Sequence, residues 1–256
     1  MNLVMGGFFE GFYWESGALE FLAKQEENLT LYTSSVGSLR GLFYSMYGVN
    51  FFGRLKDFIN KKNNPIKDII NSFELYNNLY AQTTALIRLG RGKMSLYDPE
   101  ALKAFLKSYF GKDTLESLTE EINFEVFELK SKKIINLDKK TSIVDMLMME
   151  LAFPPYYPYY EYSNGCFIPS SFLSLIPQNF PDNSIIISFD AALEYPFPKN
   201  TVEILLKVSY SRSLKNYQIL TENFTKIEPK KAPTSYFDMA VFFDGQNQVK
   251  EWWMSV

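Results

Sequence analysis

Apolar residues fall into short runs and helical stripes that alternate over the first fifty positions. Leu3-Val4-Met5 is a brief apolar run ending at Gly6-Gly7, the pattern of a buried strand entering a tight loop. Ala18-Leu19 and Phe21-Leu22, with charged residues between and after them, predict a helix over roughly 14–27. Leu29-Thr30-Leu31-Tyr32-Thr33 is β-rich and reads as a second strand. Leu39, Leu42, Phe43 and Met46 then recur at helical spacing and stop at Gly48. Strand, glycine loop, helix, strand and helix make a βαβ unit, which implies parallel strands in a layered α/β domain.

From about 50 to 120 the pattern is mostly helical. Phe51-Phe52, Leu55 and Phe58-Ile59 share a face, and Pro65 opens another helix with Ile66, Ile69-Ile70 and Phe73. Asp98-Pro99-Glu100 is a capped helix start with proline in the first turn, continued by Ala101 to Phe110. Ile122–Leu129 alternates as a strand, Ser142–Leu151 is an apolar helix closed by Pro154-Pro155, and Ile185–Phe189 is a buried strand. Val202–Val208 reads as a further strand and Asn247–Met254 as a short helix. No repeat or low-complexity linker interrupts the pattern, so residues 1–256 are expected to form one domain, with 201–256 completing it.

Composition sharpens this picture mainly through what is missing. The chain has no histidine and one cysteine, Cys166. A serine–histidine–aspartate triad and a cysteine–histidine dyad are therefore excluded, and zinc is left without its nitrogen ligands. Any proton transfer falls to a carboxylate, a lysine or a tyrosine. The net charge of −3 speaks against nucleic acid, and Lys61-Lys62 and Lys230-Lys231 read as solvated surface. Cys166 reads as an inert interior residue. Neither a signal peptide nor a membrane span is evident, so a cytoplasmic location is expected, with peripheral contact to a bilayer as an option. Aromatic residues make up 17%. Pro154 to Tyr160 concentrates them, either as a packed loop or as a surface for acyl chains and lipid. Arg88-Leu89-Gly90-Arg91-Gly92-Lys93 lacks the Walker spacing and reads as a helix end.

Three segments carry candidate chemistry. Thr33-Ser34-Ser35-Val36-Gly37 lies where a β-rich run passes into an apolar helix. On such a turn Ser35 projects its hydroxyl above the sheet while Gly37 allows close packing; alternatively, Ser34 or Ser35 merely caps the helix. Gly6-Gly7-Phe8-Phe9-Glu10-Gly11 is either a set of bare amides for an oxyanion or an ordinary turn. Asp190 follows a very apolar strand, as a site residue at a strand's carboxyl end or as a turn former. Without histidine, Asp190 is the natural base for Ser35.

Taken together these segments resemble the patatin-like phospholipases. That family has a glycine-rich loop after its first strand, a Gly-x-Ser-x-Gly elbow on the second and an Asp-Gly-Gly or Asp-Gly-Ala segment late in the domain. The counterparts here are Gly6-Gly7 with Gly11, Ser35 with Gly37, and Asp190-Ala191-Ala192, followed by Leu193 to Phe197. Glu150-Leu151-Ala152-Phe153-Pro154 is similar to the family's Ala-Ser-x-Ala-x-Pro segment. Thr33, Phe8 and Ala191 stand where the family has glycines, and Glu10 where a basic residue is common.

The resemblance covers about residues 2–200. It implies a three-layer α/β/α fold with a mainly parallel central sheet, and a serine acyl hydrolase acting on lipid esters, in the manner of phospholipase A or a lysophospholipase. Ser35 would be the nucleophile, Asp190 the general base and the Gly6, Gly7 and Phe8 amides the oxyanion hole, with Thr33 and Gly37 shaping the elbow. The resemblance implies neither metal nor cofactor. The broken motifs leave two alternatives: a non-catalytic protein of this fold that binds lipid or a protein partner, and an unrelated α/β protein.

Overall fold

The computed structural model describes residues 1–7, 9–67, 87, 90–92, 95, 97–154, 156–189, 201–230 and 238–255. The predicted βαβ unit is present: β1 (Asn2–Met5), α1 (Phe12–Gln25), β2 (Thr30–Thr33) and α2 (Val36–Tyr47). β1 and β2 run parallel, with Met5 beside Thr33, so the glycine loop and the serine turn leave the sheet at the same edge. β3 (Glu121–Glu128) extends the parallel set beyond β2, and β7 (Ile185–Ile187) and β8 (Thr225–Ile227) extend it on the other side of β1. The second half of β3 changes partners, pairing antiparallel with β4 (Lys133–Asn136) and β6 (Gly165–Pro169), and β5 (Tyr160–Tyr162) closes that end. Among the described residues the result is an eight-stranded mixed sheet, mainly parallel at its centre and flanked by helices.

Among the described residues the helices are built where their patterns predict, apart from one segment read as a strand and one helix that starts earlier than read. In α3 (Phe51–Ile59) the residues Phe51, Phe52, Leu55, Phe58 and Ile59 form the buried face. In α4 (Pro99–Phe110) the Asp98 carboxylate accepts from the Glu100 amide at 3.0 Å, the expected cap. In α5 (Ile143–Glu150) Ser142 caps by accepting from the Asp145 amide. The segment read as a strand is Val202–Val208. It belongs to α7 (Thr201–Leu220), a 20-residue helix that follows the four-residue α6 (Ser171–Ser174). The apolar cluster at its start hides the period, which emerges only further on, where Tyr210, Ser213 and Tyr217 form the buried face. The last helix, α8 (Met239–Trp253), starts earlier than read, at a cap in which Asp238 accepts from the Ala240 amide. The continuation of the Pro65 helix through Ile69-Ile70 and Phe73 lies outside the described residues.

α8 crosses α1 at backbone contact. A Cβ placed on Gly17 would lie 2.0 Å from the Phe242 carbonyl oxygen, and one on Gly245 would lie 2.1 Å from that of Trp14. Alanine at either position must push two helices apart, and a destabilisation of about 1–3 kcal/mol is expected in urea unfolding. Gly53, on α3, has nothing within 4 Å of such a Cβ. Gly53→Ala is therefore expected to stabilise by about 0.5–1 kcal/mol, because it removes only unfolded-state freedom.

Candidate active site

Ser35 is the N-cap residue of α2, at φ 56° and ψ −126°. A non-glycine residue there carries strain on the order of 1–3 kcal/mol and persists only where its surroundings hold it. Two features do so. A Cβ on Gly37 would lie 2.6 Å from the Met5 carbonyl oxygen, so the first turn of α2 is pressed onto the end of β1. In addition, the Ser35 N–H donates to Glu150 Oε2 at 2.6 Å. Neither serine caps the helix through its side chain: the Ser35 hydroxyl makes no capping bond, and Ser34 Oγ is directed to Glu150 Oε2 at 3.3 Å while accepting from the Ser171 amide at 3.1 Å. The capping alternative is therefore set aside. Ser35 itself is 3% exposed, a closed setting in which hydrogen bonds are little weakened by water.

Glu150 is missing from the candidate residues read in the sequence. It ends α5, is 0% exposed, and its Oε1 lies 2.8 Å from Ser38 Oγ. It opens the segment Glu150-Leu151-Ala152-Phe153-Pro154 that is similar to the family's Ala-Ser-x-Ala-x-Pro segment. Burial pushes its carboxyl well above the ordinary range, and the Ser35 amide and the Ser38 and Ser34 hydroxyls pull the other way; Glu125 adds to the rise. An acid in the apolar run Met148-Met149-Glu150-Leu151 is the signal that would have found it.

A second buried group ties the site segments together. Glu15 on α1 pairs with Arg40 on α2, both enclosed. Arg40 Nη2 also donates to the Gly6 carbonyl at 2.8 Å, and Glu15 Oε1 accepts from the Phe189 amide at 2.8 Å. One ion pair thus holds the glycine loop, the elbow helix and the residue immediately before Asp190. Both charges stand among apolar helical neighbours in the sequence, which is the only trace they leave there.

The glycine loop backs onto the turn after α6. The Gly7 N–H donates to the Leu175 carbonyl at 2.7 Å, with Gly7 at φ 83° and Leu175 at φ 63°. A Cβ on Gly6 would lie 2.2 Å from that same oxygen, so glycine is required by contact. Thr33 Oγ1 contacts the Asn123 carbonyl at 3.3 Å and accepts from Ser38 Oγ at 3.2 Å. Glu10 is buried. Phe8, Asp190, Ala191, Ala192 and Leu193 to Phe197 lie outside the described residues. In the aromatic segment, Tyr156 and Tyr157 are buried, Tyr156 stacks on Tyr97 and Phe153, and the Tyr157 hydroxyl donates to the Pro65 carbonyl. Those two tyrosines behave as a packed loop. Cys166 is buried in β6.

The mainly parallel central sheet flanked by helices is that of a layered α/β domain, and the family comparison agrees. The patatin-like phospholipase profile matches residues 3–180, more than two thirds of the chain. The chain belongs to the patatin-like phospholipase family, a family of lipid acyl hydrolases. The alternative of an unrelated α/β protein is thereby overturned. The match ends before Asp190 and before α7, β8 and α8. Comparison with curated proteins returns no match. No helix among the described residues is long and apolar enough to cross a membrane.

Proposed function

We propose that this protein is a serine acyl hydrolase that cleaves acyl esters of lipids, as a phospholipase A or lysophospholipase does, with Ser35 as nucleophile and Asp190 as general base. The observation that carries the reading is the backbone of Ser35. It is strained, pinned from two sides, and leaves its hydroxyl unused by the helix it starts. Ser35 Oγ attacks the ester carbonyl and its proton passes to Asp190. The tetrahedral intermediate collapses as Asp190 returns that proton to the leaving alcohol. Water, deprotonated by Asp190, then releases the fatty acid and restores Ser35.

Amides of Gly6, Gly7 and Phe8 hold the oxyanion. The Gly7 amide becomes a donor to substrate once the Leu175 carbonyl moves off it. One such donor is worth about 2.7–4 kcal/mol. The chemistry calls for neither metal nor cofactor, the substrate sits at a bilayer or micelle surface that the protein meets peripherally, and the reading places it in the cytoplasm.

A fluorophosphonate probe tests the reading. The wild-type protein is expected to be labelled and Ser35→Ala to be silent; equal labelling of both would remove Ser35 from the mechanism.

The engaged Gly7 amide also favours a second reading, a non-catalytic member that binds lipid or a protein partner through the same fold. A protein that binds phospholipid or fatty acid yet is neither labelled nor active on esters decides for it.

A further inference from the structure

The hydroxyl groups beneath the elbow form a line whose protons can be counted. Glu150 Oε1 contacts Ser38 Oγ at 2.8 Å, Ser38 Oγ contacts Thr33 Oγ1 at 3.2 Å, and Thr33 Oγ1 contacts the Asn123 carbonyl at 3.3 Å. Three contacts need three hydrogens. Ser38 and Thr33 supply one each, and a carbonyl supplies none. The third must come from the carboxyl. With a proton on Oε1 the chain runs one way: Glu150 donates to Ser38, Ser38 to Thr33, and Thr33 to Asn123. Oε2 stays free to accept the Ser35 amide and the Ser34 hydroxyl.

We propose that Glu150 is a positioning residue held as the neutral acid, whose hydroxyl heads this chain while its other oxygen fixes the Ser35 amide. The proposal deepens, and rests on, the nucleophile reading of Ser35. It also gives one departure from the family pattern a reason. Thr33, in place of a glycine, continues the chain that Glu150 begins. An ionised Glu150 instead accepts the Ser38 hydrogen bond, which leaves the Ser38–Thr33 contact without a proton, and sets a negative charge one hydrogen bond from Ser35. That charge opposes the alkoxide and the oxyanion that must form above it.

Among the described residues the surroundings offer Glu150 no cation. On α2, Arg40 is engaged by Glu15 and the Gly6 carbonyl. On α4, Lys103 lies over the Tyr160 ring of β5 at 5.0 Å. Asp145, on α5 itself, accepts from the Tyr160 hydroxyl at 2.6 Å. On β3, Glu128 accepts from the amides of Lys130, Ser131 and Cys166, and Glu125 from those of Gln178 and Asn179. Glu125 is the charged neighbour that acts on Glu150, and it works in the same direction as burial.

Two measurements on the full-length protein test the proposal. The first is independent of catalysis: an infrared difference spectrum of wild type minus Glu150→Gln at neutral pH. A protonated-carboxyl stretch is expected in the wild type and absent from the variant; no such band overturns the proposal. The second is the pH dependence of fluorophosphonate labelling. The wild-type rate is expected to fall tenfold per pH unit on an alkaline limb, as Glu150 loses its proton. Glu150→Gln, which can accept from Ser35 and donate to Ser38, is expected to lack that limb. Glu150→Ala is expected to label about 10²-fold more slowly, the scale of a displaced reacting group, and Gln to restore most of that loss. Identical pH profiles for wild type and Gln overturn the proposal. A carboxyl band with no labelling at any pH overturns the nucleophile reading instead and leaves the proton on Glu150.

Discussion

Ser35→Ala, Asp190→Asn and the double variant are expected to lose ester turnover by the same factor, on the order of 10⁶ in kcat, as in a serine hydrolase whose nucleophile and base act as a unit. The reason for equality is mechanistic. Once the serine hydroxyl is gone the base has no proton to take, and without the base the hydroxyl is too weak a nucleophile to matter. The absence of histidine from the chain makes this a strict test, since no imidazole can stand in for the missing carboxylate. The residual rate, about 10³–10⁴ over water, belongs to the oxyanion donors and to substrate binding. Initial rates on a soluble short-chain ester, measured for the four proteins side by side, check the prediction. A double variant slower than either single one by the product of their factors would mean that the two residues act separately.

Arg40→Leu is expected to destabilise the fold by about 3–5 kcal/mol, because it strands the Glu15 carboxylate where water does not reach. For a chain of this size that is a fall in Tm of roughly 6–20 °C. Glu15→Gln is expected to act in the same direction through the stranded guanidinium. The double variant Glu15→Leu with Arg40→Met is expected to regain most of the stability, since replacing a buried pair by apolar residues of similar volume is often neutral. It is not expected to regain activity. The Gly6 carbonyl and the Phe189 amide each lose a partner, and these two groups anchor the glycine loop and the segment leading to Asp190. Calorimetry and ester hydrolysis on the same preparations separate the two effects.

The part of this site visible in the sequence is the part that obeys local rules. The β1–α1–β2–α2 unit follows from short apolar runs, glycine stops and helical spacing within fifty residues. The elbow shows as a serine and a glycine two apart. What escaped is non-local or masked by composition. β4, β5, β6 and β8 span three to five residues each and depend on partners far along the chain. The start of α7 carries enough Val, Ile and Leu to imitate a strand, and only tertiary packing of Tyr210, Ser213 and Tyr217 reveals its period. Glu15, Arg40 and Glu150 stand in apolar helical stretches, where each looks like an interruption. Their role appears only when three segments far apart in the chain come within hydrogen-bond distance, and no spacing rule encodes that. Conversely, a segment that reads equally as a cap in the sequence makes no side-chain capping bond at Ser35 in the fold.

The reciprocal glycine contact between α1 and α8 has a bearing on how the chain matures. α1 is synthesised long before α8, yet the groove that receives it against Phe242 is formed by residues 239–253. Until that stretch has emerged, α1 keeps an unsatisfied apolar flank around Trp14, and with it the Glu15 that organises the site. Closure of that flank is a late event relative to the synthesis of α1, and a nascent chain stalled before α8 is a natural client for chaperones.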